Sequence, residues 1–258
     1  LTRAGDLMGV LSNLNEGDVL FIDEIHRLSP TVEEFIYPAM EDFKVDFIVD
    51  KGAFARTINI PLKRFSLVGA TTRAGFLSAP LRERFGIFFH LDFYADEELE
   101  LIVKRSAKLL NLEIDNEAVE IIASRSRGTP RIANRLLRRV RDFTQVKYDG
   151  KISGLIAVEA LEMQGVDNKG LDSLDRKYMK VLLENYNCGP AGIEALAATI
   201  NEEIDTLEDV VEPYLLSIGF LQRTKQGRKA TSKAVEHFDF LKKSYQKGLF
   251  NEKSEEMA

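Results

Sequence analysis

The chain has 258 residues, is 45% apolar and 29% charged, and carries a net charge of −6. That length allows about two domains, and the composition suits a globular protein able to bury real cores. No stretch approaches the roughly 20 apolar residues of a membrane span and no signal peptide opens the chain, so no membrane partner and a cytoplasmic setting are expected. A single cysteine, Cys188, excludes an internal disulfide framework, and the three scattered histidines (His26, His90, His237) offer no metal-ligand spacing. The acidic balance argues against bulk nucleic-acid affinity, so any such binding must come from a local patch.

Leu1 rather than Met opens the chain, and "TRAGDLMGVLSNL" follows at once in a helix-like pattern. This reads as a piece of a longer protein. Apolar strands then alternate with helical stretches to about residue 93, the signature of an α/β unit with a parallel sheet. Val19 to Ile22 is a strand that runs into two adjacent carboxylates, Asp23 and Glu24. Ser29 and Pro30 supply an N-cap and a first-turn proline for a helix through about Met40. Phe47, Val49, Ile58 and Ile60 flank an Asp-Lys-Gly turn and predict a β-hairpin projecting from the parallel architecture. "FSLVGATT" holds a second strand, Phe65 to Ala70, and "IFFHLDF" a third, residues 87 to 93.

Residues 96 to about 163 are helical throughout and fit a small bundle. Gly165 to Gly170 is a polar linker. Helices over 172–186, 191–200 and 205–217 follow, then two short strands around a Lys225-Gln226-Gly227 turn. Three helices and a basic hairpin describe a winged helix. The tail from Lys242 reads as frayed.

Asp23 at a strand tip can hold Mg²⁺, and Glu24 can polarise a water that attacks a γ-phosphate. The pair serves equally well as the solvated end of a strand. Thr71 and Thr72 follow the neighbouring strand, where a hydroxyl can orient that water or merely cap a helix. Arg82 and Arg84 point in roughly opposite directions on a helix, so at most one serves a given phosphate; either also fits a surface pair with Glu83 or Glu97. Arg131 follows Pro130 in the first turn of a helix, where a cation opposes the helix dipole; a bound phosphate resolves the conflict. Arg223, Lys225, Arg228 and Lys229 lie in the hairpin without an acidic residue among them, a local reversal of sign that suits phosphate contact. No G-x-x-x-x-G-K-[ST] loop occurs anywhere in the chain, so half of an ATPase site has no phosphate cradle.

Taken together, "LFIDEIHRL", "YPAMEDF", "GATTR", "LRERFGI", "RSRGTPRIANRLLRRVRDF" and "EPYLLSIGFLQRT" resemble the RuvB family of AAA+ ATPases over essentially the whole chain. The resemblance implies a partial AAA+ parallel-sheet domain with a β-hairpin insertion (1–94), a helical lid (95–166), a C-terminal winged helix (167–241) and a tail (242–258). It implies Asp23 and Glu24 as the Walker B pair with Asp23 on Mg²⁺, the region of Thr71 as sensor 1, Arg84 as arginine finger and Arg131 as sensor 2. Glu41, Asp42, Phe43 and Tyr94 match positions lining an ATP pocket, and Arg223 and Arg228 match DNA contacts of the wing. Ile204 stands where relatives can carry a further arginine, so no DNA contact is carried to it. The hairpin from Phe43 to Leu62 resembles one that docks RuvA, with Phe54 and Ala55 at its apolar tip. In this family the phosphate loop lies upstream of the region that begins with Leu1. The implied function is an ATP-driven hexameric DNA translocase for branch migration at four-way junctions in recombination and repair, with RuvC as a further partner. A clamp-loader-like AAA+ ATPase and a non-catalytic winged-helix DNA-binding protein are the rivals.

Overall fold

The computed structural model describes residues 4–49 and 56–239. The chain divides into two compact units, Leu1–Leu91 and Asp92–Ala258.

In the first unit, α1 (Ala4–Ser12) precedes β1 (Val19–Ile22), α2 (Pro30–Glu41), the hairpin strands β2 (Lys44–Val49) and β3 (Arg56–Pro61), β4 (Ser66–Gly69) and α3 (Ala79–Arg84). β1 and β4 run parallel, with Val19 opposite Ser66 and Ile22 opposite Gly69. Alternation along β1 sends Leu20 and Ile22 into a core with Leu7, Leu11, Ile25, Ile36 and Leu81, while Val19 and Phe21 face out. Gly69 lets Ile25 and Phe85 pack closely against β4, since a Cβ there would meet Ile25 Cδ1 at 2.9 Å and Phe85 Cζ at 3.2 Å and the side chains would have to shift. Pro30 opens α2 as expected and Ser29 holds the cap position, although its side chain makes no cap hydrogen bond. The hairpin pairs antiparallel from Lys44–Pro61 to Val49–Arg56. The Asp-Lys-Gly turn and the tip residues Phe54 and Ala55 lie outside the described residues, as does the tail from Lys242.

One expected strand is not there. Residues 87–93 carry no regular secondary structure, and Phe89 and Leu91 are 85% and 89% exposed. A strand exists only through a neighbour that accepts its ladder hydrogen bonds. Among the described residues β1 and β4 pair only with each other. The apolar run therefore has strand composition without a strand partner.

The second unit begins with α4 (Asp96–Leu109), α5 (Asn116–Ser124), α6 (Pro130–Lys147) and α7 (Gly154–Met163). Their shared core contains Leu99, Val103, Ile122, Leu137, Val140, Ile152 and Leu161. On α6 the buried face is Ala133, Leu136, Leu137, Val140 and Phe143, which leaves Arg131, Arg135, Arg138 and Arg139 exposed. Next come α8 (Ser173–Glu184), α9 (Ile193–Ile200), α10 (Ile204–Thr206), a π-turn over Leu207–Val211, α11 (Glu212–Ser217), β5 (Leu221–Thr224) and β6 (Gly227–Ala230). Tyr178, Leu182, Leu196, Leu215 and Phe220 form their core, and β5–β6 is the wing.

The polar stretch over 165–170 is held by hydrogen bonds. Asp167 is buried, accepts from the N–H groups of Lys169 at 2.9 Å and Leu171 at 2.8 Å, and pairs with His237 at 2.9 Å. Those bonds spend its polar groups on folding back, not on solvent. Arg127 Nε donates to Gly170 O at 2.8 Å, its guanidinium pairs with Asp172 at 3.1 Å and with Asp175, and it lies over the Tyr214 ring at 5.0 Å. Among the described residues no helix is long and apolar enough to cross a membrane.

Candidate functional site

The parallel pair β1–β4 delivers both carboxylates to its C-terminal edge, where ligands of such sheets bind. The two strand ends are tied together: Ala70 N donates to Ile22 O and Ile25 N to Ala70 O, each at 2.9 Å. Glu24 adopts φ 48°, ψ 49°, the left-handed region that a non-glycine residue enters at a cost. This conformation is held by the side chain. The Glu24 carboxylate accepts from Thr72 N–H at 3.1 Å and from Thr72 Oγ1 at 3.2 Å, and faces His26 Nδ1 at 3.1 Å. The Thr72 amide is the main reason the Glu24 carboxyl titrates below the ordinary carboxylate range. It stays ionised as an acceptor able to orient a water.

Thr71, the expected sensor, is one residue off this contact. Its Oγ1 lies 2.8 Å from His26 Nδ1 and accepts from Arg73 N–H at 3.0 Å. Successive side chains leaving an extended strand point to opposite sides, so only one of the two threonines can face Glu24. His26 is the contact that sequence reasoning misses, and "GATTR" offers both threonines without saying which of them faces Glu24. Asp23 is exposed, and its Oδ1 accepts from Glu24 N–H at 3.1 Å.

A second group of expected residues gathers at the end of α2. Arg84 Nε lies 2.9 Å from Glu41 Oε1 without an aligned hydrogen bond there, Arg84 Nη1 donates to Pro80 O at 2.7 Å, and the guanidinium sits 4.3 Å from the Tyr37 ring centre. Within this unit Arg84 is thus paired with Glu41. Tyr37 is anchored in turn, donating to the buried Glu33 at 3.1 Å. Asp42 pairs with Lys44 at 2.8 Å, and Phe43, at φ 51°, packs edge-on to Phe65 with centroids 5.9 Å apart.

In the second unit, Tyr94 N donates to Gly128 O at 2.9 Å, which sets Tyr94 beside the turn that leads into α6. Gly128 has φ 65°, and a Cβ there would meet Phe93 Cβ at 2.6 Å. Thr129 sits at the cap position of α6, yet its hydroxyl donates back to Arg127 O at 3.2 Å instead of capping. α6 therefore starts with no side-chain cap and no acidic residue in its first turn. Its free amides and the exposed Arg131 offer an anion a place.

The wing arginines have partners outside the hairpin. Arg223 and Arg228 are cross-strand partners, as the turn requires. They are not simply solvated. Arg223 Nε donates to Glu212 Oε2 at 2.6 Å, Arg228 Nε to Glu212 Oε1 at 2.9 Å, and Arg228 Nη2 to Glu208 Oε1 at 2.5 Å. The Glu212 side chain is fully buried, Arg228 is 15% exposed and Arg223 47%. The hairpin has no acidic residue of its own, but the preceding helical turns bring two beneath it. "EPYLLSIGFLQRT" begins with that buried glutamate, the one signal that could have found it.

Comparison with known proteins agrees with this arrangement segment by segment. Residues 1–91 match the Holliday junction DNA helicase RuvB P-loop domain, 94–167 the RuvB AAA lid domain and 168–239 the RuvB C-terminal winged helix domain. The chain is 56% identical over 237 residues to the Holliday junction branch migration complex subunit RuvB of Kosmotoga olearia, covering 92% of this chain and 69% of that protein. It is also similar to the solved Thermotoga maritima RuvB Holliday junction branch migration motor, at 49% identity and TM-score 0.81, over 93% of this chain and 75% of that one. A variant of the Thermotoga maritima protein gives 50% identity and TM-score 0.82 over 93% and 75% of the two chains. With a parallel-sheet AAA+ unit, a helical lid and a winged helix in that order, the chain belongs to the RuvB family.

Proposed function

We propose that the chain is a subunit of an ATP-driven motor that moves DNA through four-way junctions during recombination and repair. Support comes from family membership together with one local observation: a left-handed Glu24 at the tip of β1, fixed by Thr72 at the tip of β4. An ATPase that hydrolyses with water needs such a carboxylate, ionised and aimed.

In this reading Glu24 orients the attacking water, Thr72 holds Glu24, and Thr71 acts on it through His26. Asp23 is the metal position. Among the described residues no cluster of three or more His, Cys, Asp or Glu could cage an ion, which fits Mg²⁺, bound by one or two carboxylates plus phosphates and waters. When bound, Mg²⁺ neutralises charge on the phosphates of ATP. Glu41, Asp42, Phe43, Tyr94 and Arg131 serve the nucleotide. Arg84 exchanges Glu41 for the γ-phosphate bound by a neighbouring subunit. Such an exchange requires a closed ring, read as a homohexamer. The β2–β3 hairpin docks RuvA, the wing contacts duplex arms, RuvC is a further partner, and the protein works in the cytoplasm. The domain division stays at 1–94, 95–166 and 167–241, with a tail over 242–258.

One rival is a winged-helix DNA-binding protein with an inert ATPase remnant. The experiment joins the family's phosphate-loop segment, taken from the Kosmotoga olearia relative, ahead of Leu1 and adds RuvA. ATP-dependent branch migration of a synthetic four-way junction is expected, lost on Glu24→Gln. Duplex binding without any ATP-dependent migration would establish the rival instead.

A further inference from the structure

We propose that Arg127 is a positioning residue that joins the lid and the winged helix into one lever, so that a movement of the α6 N-terminus reaches the wing without slack. This rests on the reading of the chain as an ATP-driven motor whose wing contacts DNA.

The stretch between lid and winged helix is gripped from both sides. From the lid, Arg127 Nε donates to Gly170 O at 2.8 Å, its Nη2 meets Asp172 at 3.1 Å and the buried Asp175, and its guanidinium lies over the Tyr214 ring. A Cβ on Gly170, which has φ 73°, would meet Arg125 O at 2.6 Å, so the two backbones touch there. From the winged helix, His237 pairs with Asp167 at 2.9 Å and Tyr214 Oη donates to Lys169 O at 2.7 Å. Segments that open easily have few buried contacts and solvent-exposed backbone bonds. Here Asp167, Gly170 and Leu171 are all buried.

Arg127 stands where this grip meets the anion site. It has φ 54° and is followed by Gly128 at φ 65°, and that reversal aims α6 with Arg131 in its first turn. A left-handed non-glycine residue persists where its surroundings fix it, and the Arg127 side chain is fixed on α8. Asp175 and Tyr178 lie one turn apart on that helix. Asp175 receives Arg127, and Tyr178 Oη donates at 2.8 Å to the buried Glu212, which holds both Arg223 and Arg228. One helix therefore carries the lid's arginine on one turn and the wing's carboxylate on the next. A guanidinium suits the joint, since its edge bonds several acceptors while its face covers a ring. Without it, a rotation of the lid is absorbed over 165–170 instead of being passed on.

The test uses the protein completed with the family's phosphate loop, with RuvA and a synthetic four-way junction, and measures junctions migrated per ATP hydrolysed. Arg127→Ala should keep its DNA-independent ATPase rate within about twofold. Its yield of migrated junctions per ATP should fall about tenfold, the size of effect that changes along a coupling route produce. In the 258-residue chain, trypsin cleavage after Lys169 should become about tenfold faster in Arg127→Ala. Asp175→Asn, which keeps the shape of the side chain, should uncouple in the same direction, and joining it to Arg127→Ala should add nothing. ATPase and migration falling in step, the mark of a role in stability alone, would overturn the proposal. So would additive losses in the double variant, a migration yield that stays at wild type, or unchanged cleavage at Lys169. Should Arg127→Ala not fold, a wild-type yield in Asp175→Asn overturns the proposal by itself. If the completed wild type shows no ATP-dependent migration, the motor reading fails and the coupling with it. A working wild type whose variants stay coupled overturns the coupling alone.

Discussion

Glu24 and Thr72 stand 48 residues apart in sequence, and Thr72 donates both its amide and its hydroxyl to the Glu24 carboxylate. That double contact holds a glutamate in a left-handed conformation at the end of a half-buried strand. Strain maintained this way is found where a group must point in one direction to function. In the protein completed with the family's phosphate loop, Thr72→Val should lower kcat about 10²-fold with KM nearly unchanged. Thr71→Val should cost less, because Thr71 reaches Glu24 only through His26. Steady-state ATPase kinetics on the two variants check the order, and a larger loss from Thr71→Val would return the sensor role to Thr71.

Arg84 is parked on Glu41 and the Tyr37 ring within its own unit. A finger that acts on a neighbour must exchange these partners for a phosphate. Where fingers are measured they contribute about 10³–10⁵ in rate. In the protein completed with the family's phosphate loop, an Arg84→Ala subunit and a Glu24→Gln subunit, each inactive alone, should regain ATPase activity when mixed into one ring. No recovery at any mixing ratio would remove Arg84 from the neighbour's site.

The segment that leads into α6 is fastened to α8 through Arg127, which is 10% exposed and pairs with Asp175, 1% exposed. Breaking a buried pair by removing one partner costs about 3–5 kcal/mol. Arg127→Ala should therefore lower the melting temperature clearly, and calorimetry should split the unfolding of lid and winged helix into separate transitions. Burial pushes the Asp175 carboxyl up to about 7, against the pull of Arg127. A folded-state value raised above the ordinary 3.8 means that this group favours folding at low pH and loses that contribution as pH rises through about 7. Asp175→Asn should flatten the stability curve between about pH 4 and 7. An unchanged curve would mean that Asp175 titrates normally.

Local chemistry is legible in the sequence and long-range pairing is not. The strand Val19–Ile22, the proline at the start of α2 and the wing turn follow from residues close together in sequence. Residues 87–93 read as a strand because composition carries no information about whether a neighbour is present to pair with. Thr71 and Thr72 cannot be told apart because the way a chain leaves a strand sets which side chain faces inward. The wing arginines read as free cations because Glu208 and Glu212, 20 and 16 residues before Arg228, reach them only through the fold. The polar run over 165–170 reads only as a linker because its bonds to His237 and Arg127 span 70 and 43 residues.

The 258-residue chain by itself should show no ATP turnover above background, since it contains no glycine-rich loop and lysine to grip the phosphates. Phosphate release from the purified chain, followed with and without duplex DNA, checks this. Turnover that disappears on Glu24→Gln would mean another part of these residues cradles the phosphates.

The central claim is that Glu24 is the carboxylate that orients the attacking water. With the phosphate-loop segment of the Kosmotoga olearia relative joined ahead of Leu1, the most direct measurement is the single-turnover rate of ATP hydrolysis beside ATP affinity, in wild type and Glu24→Gln. The account predicts a rate lower by about 10²–10⁴ with affinity within about threefold. A Glu24→Gln protein that hydrolyses ATP at the wild-type rate would contradict it.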